Sequence, residues 1–113
     1  MEQKQINNIL NDIKLLILNS KEYIEYSKNE EKLENNLEIK SVINEIKNMQ
    51  KNIINKEYKK QDKEIEEFQV QNLFRELNTC SDYNEYIKSA RNLNKYITDI
   101  KDNFENYFNE LLK

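Results

Sequence analysis

The sequence predicts an all-α fold: an antiparallel helical hairpin or bundle of four to five helices with a long C-terminal helix. Three observations carry that prediction. First, the 113 residues contain no glycine and no proline, so the chain lacks both the cheapest residue for positive φ and the strongest helix breaker. Second, apolar residues recur at intervals of three and four along most of the chain, the period of a helix face. Third, 35% of residues are charged and 37% hydrophobic at a net charge of −3. That balance is polar, yet too rich in Ile, Leu and Tyr for simple disorder. One domain spanning residues 1–113 is expected, with a core modest enough to gain from self-association.

The first helix runs from about Lys4 to Asn19, with Ile6, Ile9, Leu10, Ile13, Leu16 and Ile17 on one face. Leu15 and Leu18 lie off that stripe and widen it. Ser20 is placed to N-cap a second helix bearing Tyr23, Tyr26 and Leu33, because its hydroxyl can accept from an orphaned backbone N–H. Asn35-Asn36 ends this helix and starts the next. Asn tolerates left-handed φ and caps well, and Glu38 stands three residues after Asn35 as in a capping box.

Ile39, Val42, Ile46, Met49 and Ile53 form the seam of the third helix, broadened by Ile43 and Ile54. From Lys56 to Lys63 the apolar pattern lapses, which is compatible with a turn or with an exposed stretch of one long helix. Ile65, Phe68, Val70, Leu73, Phe74 and Leu77 define a fourth amphipathic stretch. A break is expected at residues 78–81, with Thr79 and Asp82, or Asp82 and Glu85, as capping pairs. In the last helix Tyr83, Tyr86, Ala90, Leu93, Ile97, Ile100, Phe104, Tyr107 and Leu111 alternate by three and four without a fault, the signature of a left-handed packing seam. At 1.5 Å per residue that helix is on the order of 45 Å long. The seam packs inside a bundle, against another chain around Phe104, Tyr107 and Phe108, or both.

The residues point away from catalysis. The chain has no histidine, the usual acid-base group near neutral pH and a frequent metal ligand. Paired carboxylates such as Glu30-Glu31 and Glu64-Glu66-Glu67 read as solvated helix faces, and neither an EF-hand loop nor a Glu-x-x-His pair is present. No catalytic residue, cofactor or metal site is assigned. Lys51, Lys56, Lys59, Lys60 and Lys63, interleaved with Tyr58, form a basic concentration able to attract phosphate. Glu57 and Asp62 interrupt it, and the whole chain is acidic, so Lys56, Lys59, Lys60 and Lys63 define an alternative reading, an RNA-binding helical module, rather than the main one.

Tyr23, Tyr26, Tyr83 and Tyr86 stand at the starts of two helices with the same i, i+3 spacing. They either pack in the core or present an amphipathic patch to a partner. Together with Ile97, Ile100, Phe104, Tyr107 and Phe108 they are the candidates for partner contact or self-association. The run Leu15–Leu18 is far shorter than the ~20 residues that span a bilayer. With no targeting pattern and a single cysteine, Cys80, the expected compartment is the reducing cytoplasm, without membrane insertion.

Ser20-Lys21-Glu22-Tyr23-Ile24-Glu25-Tyr26, followed by Leu33 and the Asn35-Asn36 break, resembles the segment that opens the second helix of the YlbF/YmcA family of small helical bacterial proteins. Ile39 to Gln50 is similar to that family's long middle helix, and Tyr83 to Ile100, with Ala90, Leu93 and Asn94, to its terminal helix. The resemblance covers roughly Ile6 to Phe104. Leu37 and Ser81-Asp82 depart from it, standing where family members often have proline, so the helix starts are less sharply set.

The resemblance implies an antiparallel helical fold, self-association as a homodimer or higher homo-oligomer, and a non-catalytic adaptor role. Some relatives act with a family paralogue and a YaaT-like protein in a complex that promotes RNase Y-dependent RNA processing, affecting competence, biofilm formation and sporulation. Contact with nucleic acid is then indirect. Some relatives also bind iron-sulfur clusters through cysteines. Cys80 alone falls short of the usual four thiolates and reads as a small, half-buried residue at a helix junction.

Overall fold

The computed structural model describes residues 2–113 and consists of five helices: α1 (Glu2–Leu18), α2 (Lys21–Glu34), α3 (Leu37–Tyr58), α4 (Glu64–Asn78) and α5 (Ser81–Leu111). No strand occurs among the described residues. The chain divides into two compact units, one from Glu30 to Tyr86 and one from the chain up to Asn29 together with Ile87–Lys113. The unit borders fall inside α2 and α5.

The Glu30–Tyr86 unit is an antiparallel hairpin of α3 and α4 flanked by the end of α2 and the start of α5. Its core holds Leu33, Ile39, Ile46, Val70 and Leu77, with Val42, Met49, Ile53, Leu73, Tyr83 and Tyr86 packed around them. Ile39 and Leu77 are almost fully enclosed, and burying a side chain of that size contributes roughly 1.5–3 kcal/mol. The heptad residues of α3 therefore face α4, as their spacing implies.

Asn36 is the N-cap of α3: its Oδ1 accepts from the Ile39 N–H at 3.1 Å, and its Nδ2 donates to Asp82 at 3.4 Å. The cap thus lies one residue beyond the Asn35 that a capping box with Glu38 would need. Asn36 has φ −95°, so it is not left-handed.

The left-handed residue is Lys60, at φ 57°. The helix α3 ends at Tyr58 and α4 begins at Glu64, so the Lys56–Lys63 stretch contains a turn. The Gln61 N–H reaches back to the Lys56 carbonyl at 2.8 Å and the Lys60 N–H to the Glu57 carbonyl at 3.1 Å. These are the two bonds of a Schellman motif, whose left-handed position glycine usually fills. In a chain without glycine a lysine takes it, at a cost of roughly 1 kcal/mol. Asp62 then accepts from the Glu64 N–H at 3.1 Å and opens α4.

At the α4–α5 junction the Thr79 hydroxyl donates to the Glu76 carbonyl at 2.7 Å, and the Asn84 side chain to the Asn78 carbonyl at 2.8 Å. Thr79 therefore closes α4, where the sequence pattern suggested that it opens α5. In the other unit a single hydroxyl serves two helices. Ser20 Oγ donates to the Ile17 carbonyl at 2.6 Å, ending α1, and accepts from the Tyr23 N–H at 3.1 Å, starting α2. The N-cap expected at Ser20 is thus present.

Candidate interaction surface

Among the described residues of the unit formed by the chain up to Asn29 and Ile87–Lys113 no apolar side chain is buried, and Ser89 is the buried residue. Along α1, Ile6, Ile9, Leu10 and Leu16 recur on one face and are each at least half exposed. The α5 seam is graded. Tyr83, Tyr86, Ala90 and Leu93 are half-buried, Ile97 is 41% exposed, and beyond it Phe104, Tyr107 and Leu111 stand at 41%, 67% and 71%. Ile100 remains half-buried.

Phe104 and Phe108, one turn apart, hold their ring centroids at 6.2 Å with planes tilted by 31°, so two aromatic rings form one exposed apolar patch. Of the contact candidates singled out on the C-terminal half of α5, Ile97, Phe104, Tyr107 and Phe108 are exposed and Ile100 is half-buried. The α1 stripe was not among the predicted contact residues. Its periodicity was visible, but periodicity marks an apolar face without revealing whether anything covers it.

The four tyrosines divide between the units. Tyr23 and Tyr26 bring their rings to 6.4 Å with an interplanar angle of 48°, both half-buried on α2. Tyr83 and Tyr86 pack against the hairpin core. Each pair contributes to packing in its own unit while keeping part of its surface open.

The basic stretch at the hairpin tip is largely matched by acid. Lys56 donates to Glu66, and Lys63 donates to Glu57 and lies 3.4 Å from Glu67. The hydrogen bond from Lys56, with a backbone hydrogen bond second, holds the Glu66 carboxyl below the ordinary carboxylate range. The hydrogen bond to Glu57 raises the Lys63 ammonium above the ordinary lysine value, against a smaller opposing effect of desolvation. Lys59 and Lys60 are exposed beside Tyr58, itself 90% exposed.

Chemistry-bearing clusters are sparse. A polar concavity lies between Lys21 and Glu25 of α2 and Lys95, Tyr96 and Asp99 of α5. Among the described residues no group of three or more His, Cys, Asp or Glu side chains is arranged to hold a metal ion. Among the described residues no helix is long and apolar enough to cross a membrane. Cys80 is a half-buried free thiol whose Sγ lies 3.7 Å from the Glu76 carbonyl.

The sequence model of the family described as control of competence regulator ComK, YlbF/YmcA, matches residues 6–106. Among solved structures, the chain is similar to one described as Bacillus subtilis RicA in complex with RicF, with a TM-score of 0.85 at 13% identity over 96% of this chain and 97% of that one. At that identity the likeness establishes the five-helix fold. No curated protein sequence matches the chain.

Proposed function

This chain belongs to the YlbF/YmcA family, and we propose that it works as a non-catalytic helical adaptor within an assembly that promotes RNase Y-dependent RNA processing. The observation that carries the adaptor reading is the uncovered apolar stripe along α1 and the C-terminal half of α5. Folded monomers rarely leave contiguous apolar patches beyond a few hundred Å² without a partner for them. The solved relative in which this fold appears is itself in complex with another protein, which supports a partner-binding role. The proposed partners are a second copy of the chain, a family paralogue and a YaaT-like protein, with RNase Y as the enzyme served. We take residues 1–113 as one domain of this type, since α2 and α5 run continuously through both compact units.

Affinity capture from the native organism tests this. The intact chain should retain the YaaT-like partner and RNase Y, and Phe104→Glu with Tyr107→Glu should lose them while the α3–α4 core stays folded. Capture that survives these changes, or that returns neither partner, overturns the assignment.

The hairpin tip supports a second reading, RNA contact, through Tyr58 with Lys59 and Lys60 exposed beside it. Glu57, Glu66 and Glu67 already engage Lys56 and Lys63, leaving less positive field for a phosphate chain. Salt-dependent RNA binding abolished by Lys59→Glu with Lys60→Glu would promote this reading above the adaptor.

A further inference from the structure

We propose that the outer face of α3, continued over the hairpin tip, is a docking face for single-stranded RNA, held chiefly through its phosphates. This deepens the RNA reading of the tip by moving most of the contact up the helix. The choice of RNA over DNA rests on the RNA-processing setting of the adaptor reading.

The face arises from the sorting of charge around one helix. Asn44, Lys47, Asn48, Lys51, Asn55 and Tyr58 recur at intervals of three and four, so they share one side of α3, and all are exposed. Ile39 and Ile46 point the other way, into the hairpin core. The carboxylates of α3 lie off the outer side: Glu45 lines a groove with Met49 and with Gln69 and Leu73 of α4, Glu57 is engaged by Lys63, and Glu38 stands in the first turn. Among the described residues Lys47, Lys51, Lys59 and Lys60 make no ion pair. One side of α3 thus offers unmatched cations and no carboxylate, in a chain of net charge −3.

Charge complementarity makes the occupant a polyanion. With a Debye length of about 8 Å at physiological salt, a phosphate on this face meets the local lysines rather than the acids elsewhere in the chain. Lys47 and Lys51 border one open concavity together with Asn44 and Asn48, so both cations can serve one run of phosphates. Two features favour a single nucleic-acid strand over an acidic protein. Tyr58 is 90% exposed and offers a ring on which an unpaired base can stack. The asparagine amides both donate and accept, which suits base edges and the ribose 2′-hydroxyl. At 1.5 Å per residue the run from Asn44 to Tyr58 is on the order of 21 Å long, room for the shortest single-strand sites of about four nucleotides.

The test follows the fluorescence anisotropy of a labelled oligouridylate of about twelve nucleotides titrated with the full-length chain. With four lysine contacts, affinity should fall on the order of 50-fold between 50 and 200 mM salt. Lys47→Gln with Lys51→Gln should halve the salt slope and weaken binding roughly tenfold or more at the lower salt, with the thermal midpoint unchanged. Tyr58→Ala should weaken binding about fivefold or more without altering the slope, and Tyr58→Phe should restore it. Absence of binding at 50 mM salt overturns the proposal, as does an equal loss from Lys88→Gln with Lys95→Gln, two exposed lysines of α5. Equal affinity for the deoxy oligonucleotide, or equal competition by polyglutamate, overturns the assignment to RNA. A chain that captures its partner proteins without binding the oligonucleotide overturns this face and leaves the adaptor role standing. One that binds the oligonucleotide and captures no partner does the reverse.

Discussion

All five buried apolar side chains among the described residues, Leu33, Ile39, Ile46, Val70 and Leu77, lie in the Glu30–Tyr86 unit, whereas twelve of the eighteen exposed large apolar side chains lie in the other. Both units draw on the same residue types at the same helical spacing. In the hairpin the stripe of α3 meets the stripe of α4 and becomes a core. In the other unit the stripes of α1 and of α5 beyond Ile97 remain open. An amphipathic helix therefore specifies a face to be covered, and the coverer need not belong to the same chain. The hairpin holds the buried core, and the open half carries the apolar surface proposed to meet a partner.

The largest effect that sharpens this contrast is expected at Leu77. Leu77→Ala leaves a cavity in an enclosed site and should cost about 2–5 kcal/mol, seen as a large fall in thermal midpoint at every protein concentration. The matching change in the open unit, Ile9→Ala, should lower the midpoint only where the chain is concentrated enough to associate, because the proposed adaptor role covers that face with another molecule. Equal, concentration-independent losses at the two positions would erase the distinction.

Smaller effects follow at the helix ends. Asn36→Ala removes the side-chain acceptor for the Ile39 N–H and should cost about 1 kcal/mol, read by denaturant titration of the hairpin unit. Lys60→Gly relieves a left-handed residue that has a Cβ and should stabilise the same unit by up to about 1 kcal/mol, partly offset by glycine's greater freedom in the unfolded chain. A loss of stability at Lys60→Gly would count against the left-handed turn.

The smallest effect concerns pH. The Glu66 carboxyl is held low by Lys56, so its contribution is present above its unfolded-state value and fades as pH falls through the lower folded-state value. The Lys63 ammonium is held high, chiefly by Glu57, so its contribution is present below the ordinary lysine value and fades as pH rises through the folded one. Both groups are near solvent, and exposed pairs contribute little. Glu66→Gln should flatten the acid limb of the hairpin's stability profile, and an unaltered limb would rule that pair out.

Much of the fold was legible in the residue order. The five helices follow from apolar spacing, the Ser20 cap from its hydroxyl before a helical stripe, and the uninterrupted seam from Tyr83 to Leu111 appears as one helix of 31 residues. The turn after Tyr58 was not legible, because nothing about lysine advertises left-handed φ and the chain offers no glycine to mark the place. Asn35-Asn36 marked the right break, but which Asn caps depends on the backbone angles there. The exposed apolar surface was half legible: clustered aromatics marked the C-terminal half of α5, whereas the spacing along α1 marked an apolar face without showing whether anything covers it. Burial separates the two cases, and burial is a property of neighbours that spacing along one helix does not record.

The connection Lys59–Lys63 also has a kinetic meaning. Loop-closure entropy rises slowly with length, and contacts close in sequence form fastest, so α3 and α4 need only this one short closure to meet. With no X–Pro bond anywhere in the chain, no isomerisation step of tens of seconds stands in front of it. The hairpin is thus the part of the molecule that a refolding chain can complete first and without waiting.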